Sequence, residues 1–210
     1  MNLSPRTSPR PAAIEWATCG RPIAGETVSG DLHVAELFAG GALVGVIDGL
    51  GHGPDAAHAS RVAAAVLGGD PTQPVMDLMR MCHEALRGTR GAVLSVASID
   101  TTLNAVSWIG VGNVEATIIR MDVQGRSVRD HIALRNGVAG CQLPPLRVTT
   151  KEIAPGDILI FASDGLRHGF AQEPFHDGPL DSHAADLLDR YGKDSDDALV
   201  LVVRYLGTTP

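Results

Sequence analysis

The chain has 210 residues, 44% of them hydrophobic, which fits one domain with a sizeable core. A formal net charge of −7, with the 17 basic residues dispersed, argues against nucleic acid or an anionic membrane as the main partner. No apolar run approaches a membrane span. Cys19, Cys82 and Cys141 form neither a disulfide framework nor a zinc spacing, so a reducing cytoplasmic setting is expected.

Residues 1–13, rich in Pro, Ser and Arg without a hydrophobic signal core, are expected to be a disordered tail ahead of a folded domain over 14–210. Residues 14–29 look irregular, with possible strand pieces. Leu32 to Phe38 reads as an edge strand, Gly40-Gly41 as a hairpin turn and Ala42 to Ile47 as the partner strand. That partner ends on Asp48 and breaks into Gly49, Gly51 and Gly53, which force a tight turn. Pro54 then opens a helix running to Leu67. A second helix follows Pro74, with Leu78, Met79 and Cys82 on its apolar face and His83-Glu84 on its solvated one. From Ala92 the period changes. Ala92 to Ile99, Asn104 to Val111, Glu115 to Met121 and Arg147 to Ile153 read as an antiparallel meander, with Val123-Gln124-Gly125 as one of its turns. Asn136 to Gly140 is a glycine loop, Ile158 to Ala162 a buried strand, and Arg167 to Pro179 a surface loop or flap. A last helix carries Ala184, Leu187, Leu188 and Tyr191, and Ala198 to Leu206 is the final strand.

Four apolar strands thus begin or end on carboxylates: Asp31, Asp48, Asp164 and the Asp196-Asp197 pair. Any one of them alone is an ordinary turn residue. Burying several together is prohibitive unless cations neutralise them or their pKa values rise sharply. An all-oxygen donor set selects hard cations, Mg²⁺ or Mn²⁺, and two such ions form a hydrolytic site that activates water and clamps a phosphoryl group. Gly49 to Gly53 superficially resembles a dinucleotide loop. The βα alternation after it is missing, and Asp48 would face a pyrophosphate with no cation. A Walker loop, a GxSxG elbow and an HExxH motif are absent. His52 sits beside the carboxylates, where it would contact phosphate, donate a proton, or serve only as helix entry.

Five motifs in order resemble a known family: SGD (29–31), DGLGHG (48–53) followed by Ala56 and Ala57, GVGN (110–113), GDILIFASDGL (156–166) and DDALVLV (196–202). They are similar to the metal-dependent protein phosphatases (PPM), in the bacterial branch of SpoIIE and RsbX, the short RsbX type most of all. Arg90-Gly91-Ala92 and the Asn136–Gly140 loop also resemble it. The resemblance implies an α/β (α+β) sandwich of two antiparallel β-sheets flanked by helices and a Mn²⁺ or Mg²⁺ pair. It also implies serine/threonine phosphatase activity on phosphorylated regulatory proteins, STAS-domain components of a stressosome or partner-switching pathway. By the same resemblance Asp48 bridges the ions, the Gly49 carbonyl binds one of them, Asp164 takes the second and Asp196 the other. Asp31 is a ligand or an orienter of water, Asp197 and His52 are secondary positions, and Asn113 is structural. Two places depart from the larger members: Leu50 stands where they carry a histidine, and Glu26 and Thr27 where they carry an arginine. The rival readings are a non-catalytic phosphoprotein-binding module and a two-metal hydrolase of small phosphate esters.

Overall fold

A computed structural model describes residues 13–121, 127–173, 175 and 178–207. The strands are β1 (Ile14–Arg21), β2 (Asp31–Phe38), β3 (Gly41–Gly49), β4 (Ala92–Asp100), β5 (Ala105–Val111), β6 (Glu115–Met121), β7 (Ser127–His131), β8 (Thr149–Glu152), β9 (Ile158–Ala162) and β10 (Ala198–Tyr205). The helices are α1 (Gly53–Gly69), α2 (Val75–Ala85) and α3 (Leu180–Tyr191). Two five-stranded antiparallel sheets run in the orders β1-β10-β9-β6-β7 and β2-β3-β4-β5-β8. Helices α1 and α2 cover the outer face of the second sheet and α3 that of the first, giving the expected sandwich flanked by helices.

Burial on both faces explains why the central strands are apolar almost without interruption. In β3, Ala42, Val44 and Val46 face the inter-sheet core with Trp108, Phe161 and Tyr205, while Leu43 and Ile47 face α1 and α2. In β10, Leu199, Leu201 and Val203 point into the same core, and Ala198, Val200 and Val202 meet α3. The period of two is intact, but both phases are hydrophobic.

Several expectations need correction. The first half of the stretch read as irregular with possible strand pieces, 14–21, is one continuous strand, β1, paired along its length with β10. The meander is not continuous, because after β5 the chain crosses to the other sheet. Gly112 sits at that crossing with φ +94°, packed so tightly on Val93 that a Cβ would lie 2.2 Å from it. Strand β7 escaped the sequence reading, and the turn placed at 123–125 lies outside the described residues. The Arg167–Pro179 flap is partly anchored: Phe170 and Ala171 form a short 3₁₀ turn buried against α3. His83 is no solvated bystander, since its Nδ1 accepts the Gly140 N–H at 3.0 Å. Of the expected tail only Ala13 is described; it packs on the inter-sheet core, and its carbonyl accepts the Leu206 N–H. No helix among the described residues is long and apolar enough to cross a membrane.

Candidate active site

Antiparallel register places the first two carboxylates. The β2–β3 hairpin pairs Phe38 with Gly41 at its closed end and Asp31 with Asp48 at its open end. On the other sheet, β9 runs out through Ser163 into Asp164, and β10 enters from Asp196-Asp197 beside it. Two bonds tie these ends across the sandwich. Ser163 Oγ donates to Asp31 Oδ2 at 2.6 Å while accepting the Leu199 N–H, and Asp197 Oδ2 accepts the Gly30 N–H at 2.7 Å.

The glycines of the three motifs permit this approach. A Cβ on Gly30 would lie 2.8 Å from Ala56 Cβ, and one on Gly49 2.1 Å from the Ala56 carbonyl oxygen. One on Gly165 would lie 1.8 Å from the Asp197 carbonyl oxygen. None of the three has a positive φ, so they are retained for space rather than for a turn. Gly51 and Gly53 do turn the chain, at φ +86° and +75°, into the Pro54 start of α1. Ala56, Ala59, Ser60 and Ala63 form the small face that lets α1 lie this close, and Ser60 Oγ donates to the Gly30 carbonyl.

The electrostatics are unfavourable for bare protein. Burial pushes the Asp48 carboxyl far above the carboxylate range, and the charges of Asp31, Asp164, Asp196 and Asp197 push it further. Burial likewise raises Asp31 against the opposing Ser163 hydrogen bond, with Asp197, Asp164 and Asp196 adding to it. Asp196 is raised by burial and by Asp164, with Lys193 acting the other way. Lys193 Nζ donates to the Asp164 carbonyl. A divalent cation fits this donor set, being the counter-charge that the buried carboxylates need. Among the described residues no three of His, Cys, Asp and Glu close a coordination sphere by themselves. Water and a backbone carbonyl such as that of Gly49 would complete it, as suits a hard cation such as Mg²⁺.

Asp48, Asp164 and Asp196 line a cleft of about 610 Å³. Asp31 lies behind them, 6% exposed, opposite Asp48 in register and held by Ser163. Asp197 is committed elsewhere, one oxygen to the Gly30 N–H and the other to the Ile23 N–H at 2.7 Å. Asn113 Nδ2 donates to Asp164 Oδ2 at 2.7 Å, which fixes that carboxylate's direction. His52 lines the cleft with its Nδ1 3.0 Å from Glu26 Oε1, so one of the departures from the family pattern, Glu26, contacts the cleft histidine. Arg90 pairs with Asp55 at 3.0 Å and passes beside Gly51. Sequence reasoning missed Ser163 and the Glu26–His52 contact. The serine of Ser163-Asp164-Gly165 was in view, but nothing local tells that it bonds to Asp31.

The fold and the carboxylate-lined cleft are those of a metal-dependent protein phosphatase. The chain belongs to the SpoIIE family, whose model, Stage II sporulation protein E, matches residues 39–206. None of the curated proteins matches the sequence. Among solved structures, one from work on the bacterial stressosome as a modular system that controls secondary messenger signalling is 27% identical. It covers 91% of this chain and 99% of its own, with a TM-score of 0.82. RsbX in complex with magnesium is 19% identical over 91% of this chain and 94% of its own, TM-score 0.77. The phosphatase domain of SpoIIE from Bacillus subtilis, with a fragment of its regulatory domain, is 21% identical over 97% of this chain and 66% of its own, TM-score 0.74.

Proposed function

We propose that the chain hydrolyses phosphoserine and phosphothreonine in regulatory proteins, using two divalent cations, Mn²⁺ or Mg²⁺. Asp48, Asp31, Asp164, Asp196 and the Gly49 carbonyl would hold them. The observation that supports this reading best is the meeting of four strand ends from two sheets, whose carboxylates burial and mutual repulsion keep from ionising together unless a counter-charge is bound. When bound, the cations supply that charge and an activated water for attack on phosphorus. The protein's own groups do the positioning. Ser163 orients Asp31, Asn113 orients Asp164, and the Asp197 carboxylate joins the two sheets at the site. His52, steadied by Glu26, stands at the cleft wall where it would meet the phosphate or the leaving oxygen. The stressosome source of the 27% identical structure supports phosphorylated regulators of such a pathway as the substrates, and the family resemblance makes STAS-domain components the candidates among them. The 14–210 stretch then acts as a single catalytic domain.

The test is hydrolysis of an aryl phosphate, a phosphoserine peptide and nucleotides, with Mn²⁺, with Mg²⁺ and with chelator. Expected are metal-dependent turnover favouring the phosphopeptide over nucleotides, and two Mn²⁺ per chain by calorimetry. A folded Asp48→Asn variant that keeps full Mn²⁺-dependent activity would overturn the reading. Faster turnover of nucleotides would replace it with a small-ester hydrolase.

A further inference from the structure

The cleft, about 610 Å³, is far larger than a phosphoseryl side chain, and its lining is of two kinds. Asp48, Asp164 and Asp196 line it together with three apolar residues, Leu50, Val93 and Val138, and the exposed Asn136. Val93 is the register partner of Asp48, so the apolar shelf adjoins the carboxylates directly. Leu50 and Val138 are each half-buried, packing against the inter-sheet core as well as lining the cleft. Val93 is 7% exposed and belongs to the same core.

The shelf is fixed in place by backbone hydrogen bonds. The Leu50 N–H donates to the Gly91 carbonyl at 3.0 Å. Ala92 and Ala139 exchange both of their backbone bonds, at 3.0 and 2.9 Å, and Val138 and Gln142 close the loop between them. His83 holds Gly140 from α2, and the N–H of Gly112, just past β5, holds the Arg135 carbonyl. An apolar surface held rigidly beside an anion-processing site is complementary to an apolar side chain of a ligand bound there. A polar side chain laid on it would shed water with no partner to replace it, whereas an aliphatic one gains by burial. Asn136 is exposed and presents both a donor and an acceptor, the complement of a peptide group.

Resting on the phosphatase reading, we infer that this shelf selects substrates in which the phosphorylated residue is flanked by an aliphatic residue. The phosphate lies at Asp48, Asp164 and Asp196, the aliphatic neighbour lies beside it on Leu50, Val93 and Val138, and the intervening peptide group meets Asn136. The class of substrate is therefore an extended segment with an aliphatic–phosphoserine step, not a phosphoserine set among polar residues.

The probes are two five-residue phosphoserine peptides, one with leucine on both sides of the phosphoserine and its twin with asparagine there. With Mn²⁺, the wild-type protein should show about tenfold higher kcat/KM for the leucine peptide, the order expected for partly burying one aliphatic side chain. Val138→Thr, nearly equal in shape, should cut that ratio to about threefold. The ratio for Asp55→Ala, away from the cleft, should not change. Equal kcat/KM for the twins in wild type would overturn the inference and leave the phosphatase reading standing. If neither peptide nor an aryl phosphate turns over, the phosphatase reading fails. Fluorescence anisotropy of the same labelled peptides then decides the shelf alone, and equal affinities would refute it.

Discussion

Neighbouring carboxylates 196 and 197 have opposite duties. Both oxygens of Asp197 accept backbone N–H groups, from Ile23 and Gly30, whereas Asp196 lines the cleft and, among the described residues, its carboxylate accepts only the N–H of Asp197. Asp197→Ala should therefore destabilise the fold by about 3 kcal/mol, near 10 °C in Tm, because two N–H groups lose their acceptor. Asp196→Ala should leave Tm of the chelated protein unchanged or raised while abolishing Mn²⁺ binding by calorimetry. If the two variants behaved alike, this division of labour would be wrong. Asp48→Asn should lower Mn²⁺-dependent turnover at least ~10³-fold, a scale typical of removing a preorganised charge. The same variant should melt several degrees higher than wild type in chelator, at about 2–4 °C per kcal/mol of relieved charge burial.

At the scale of elements, the contact between α1 and the ends of β2 and β3 sets the site. Gly49→Ala would drive a Cβ to 2.1 Å from the Ala56 carbonyl oxygen. The helix must then shift, and the expected result is a loss of at least ~2 kcal/mol in urea unfolding together with a drop in metal affinity. The loop carrying the shelf depends on α2 in a milder way. His83→Ala removes the acceptor of the Gly140 N–H and should cost about 1 kcal/mol. Its distinguishing sign would be faster hydrogen exchange at Gly140 and Val138, with exchange in β10 unaffected.

For the whole molecule, the carboxylate cluster couples stability to pH through the metal. Asp31 and Asp48 have folded pKa values raised above the 3.8 of an unfolded aspartate. The metal-free fold therefore holds protons that the unfolded chain has released. That contribution is fully present below the unfolded pKa and is lost as pH rises through the raised folded values. His33, lowered by burial, acts oppositely, weakening the fold as pH falls below its ordinary 6.5. Comparison with Asp48→Asn separates the two. In chelator, the wild type should lose Tm relative to that variant between pH 5 and pH 8, and saturating Mn²⁺ should erase the loss. A gap between wild type and variant that stayed constant with pH would contradict the coupling.

What could be read from the chain by itself was local. Continuous apolar runs located β3, β9 and β10, small residues after Pro54 marked α1, and the strand-end aspartates stood out as a candidate cation-binding set. These signals survive in one dimension because a strand buried on both faces is apolar at every position and a helix face repeats every 3.6 residues. The tertiary structure alone decided which sheet each strand joins, that Gly112 carries the chain from one to the other, and that β1 pairs with β10. It also decided that Asp197 braces Gly30, that Ser163 holds Asp31 and that Glu26 meets His52. The first two contacts join residues 167 and 132 positions apart, and no periodicity encodes a partner at that distance. Such pairings are chosen by the packing of two sheets and a close-lying helix, whose free energy is not a property of any single segment.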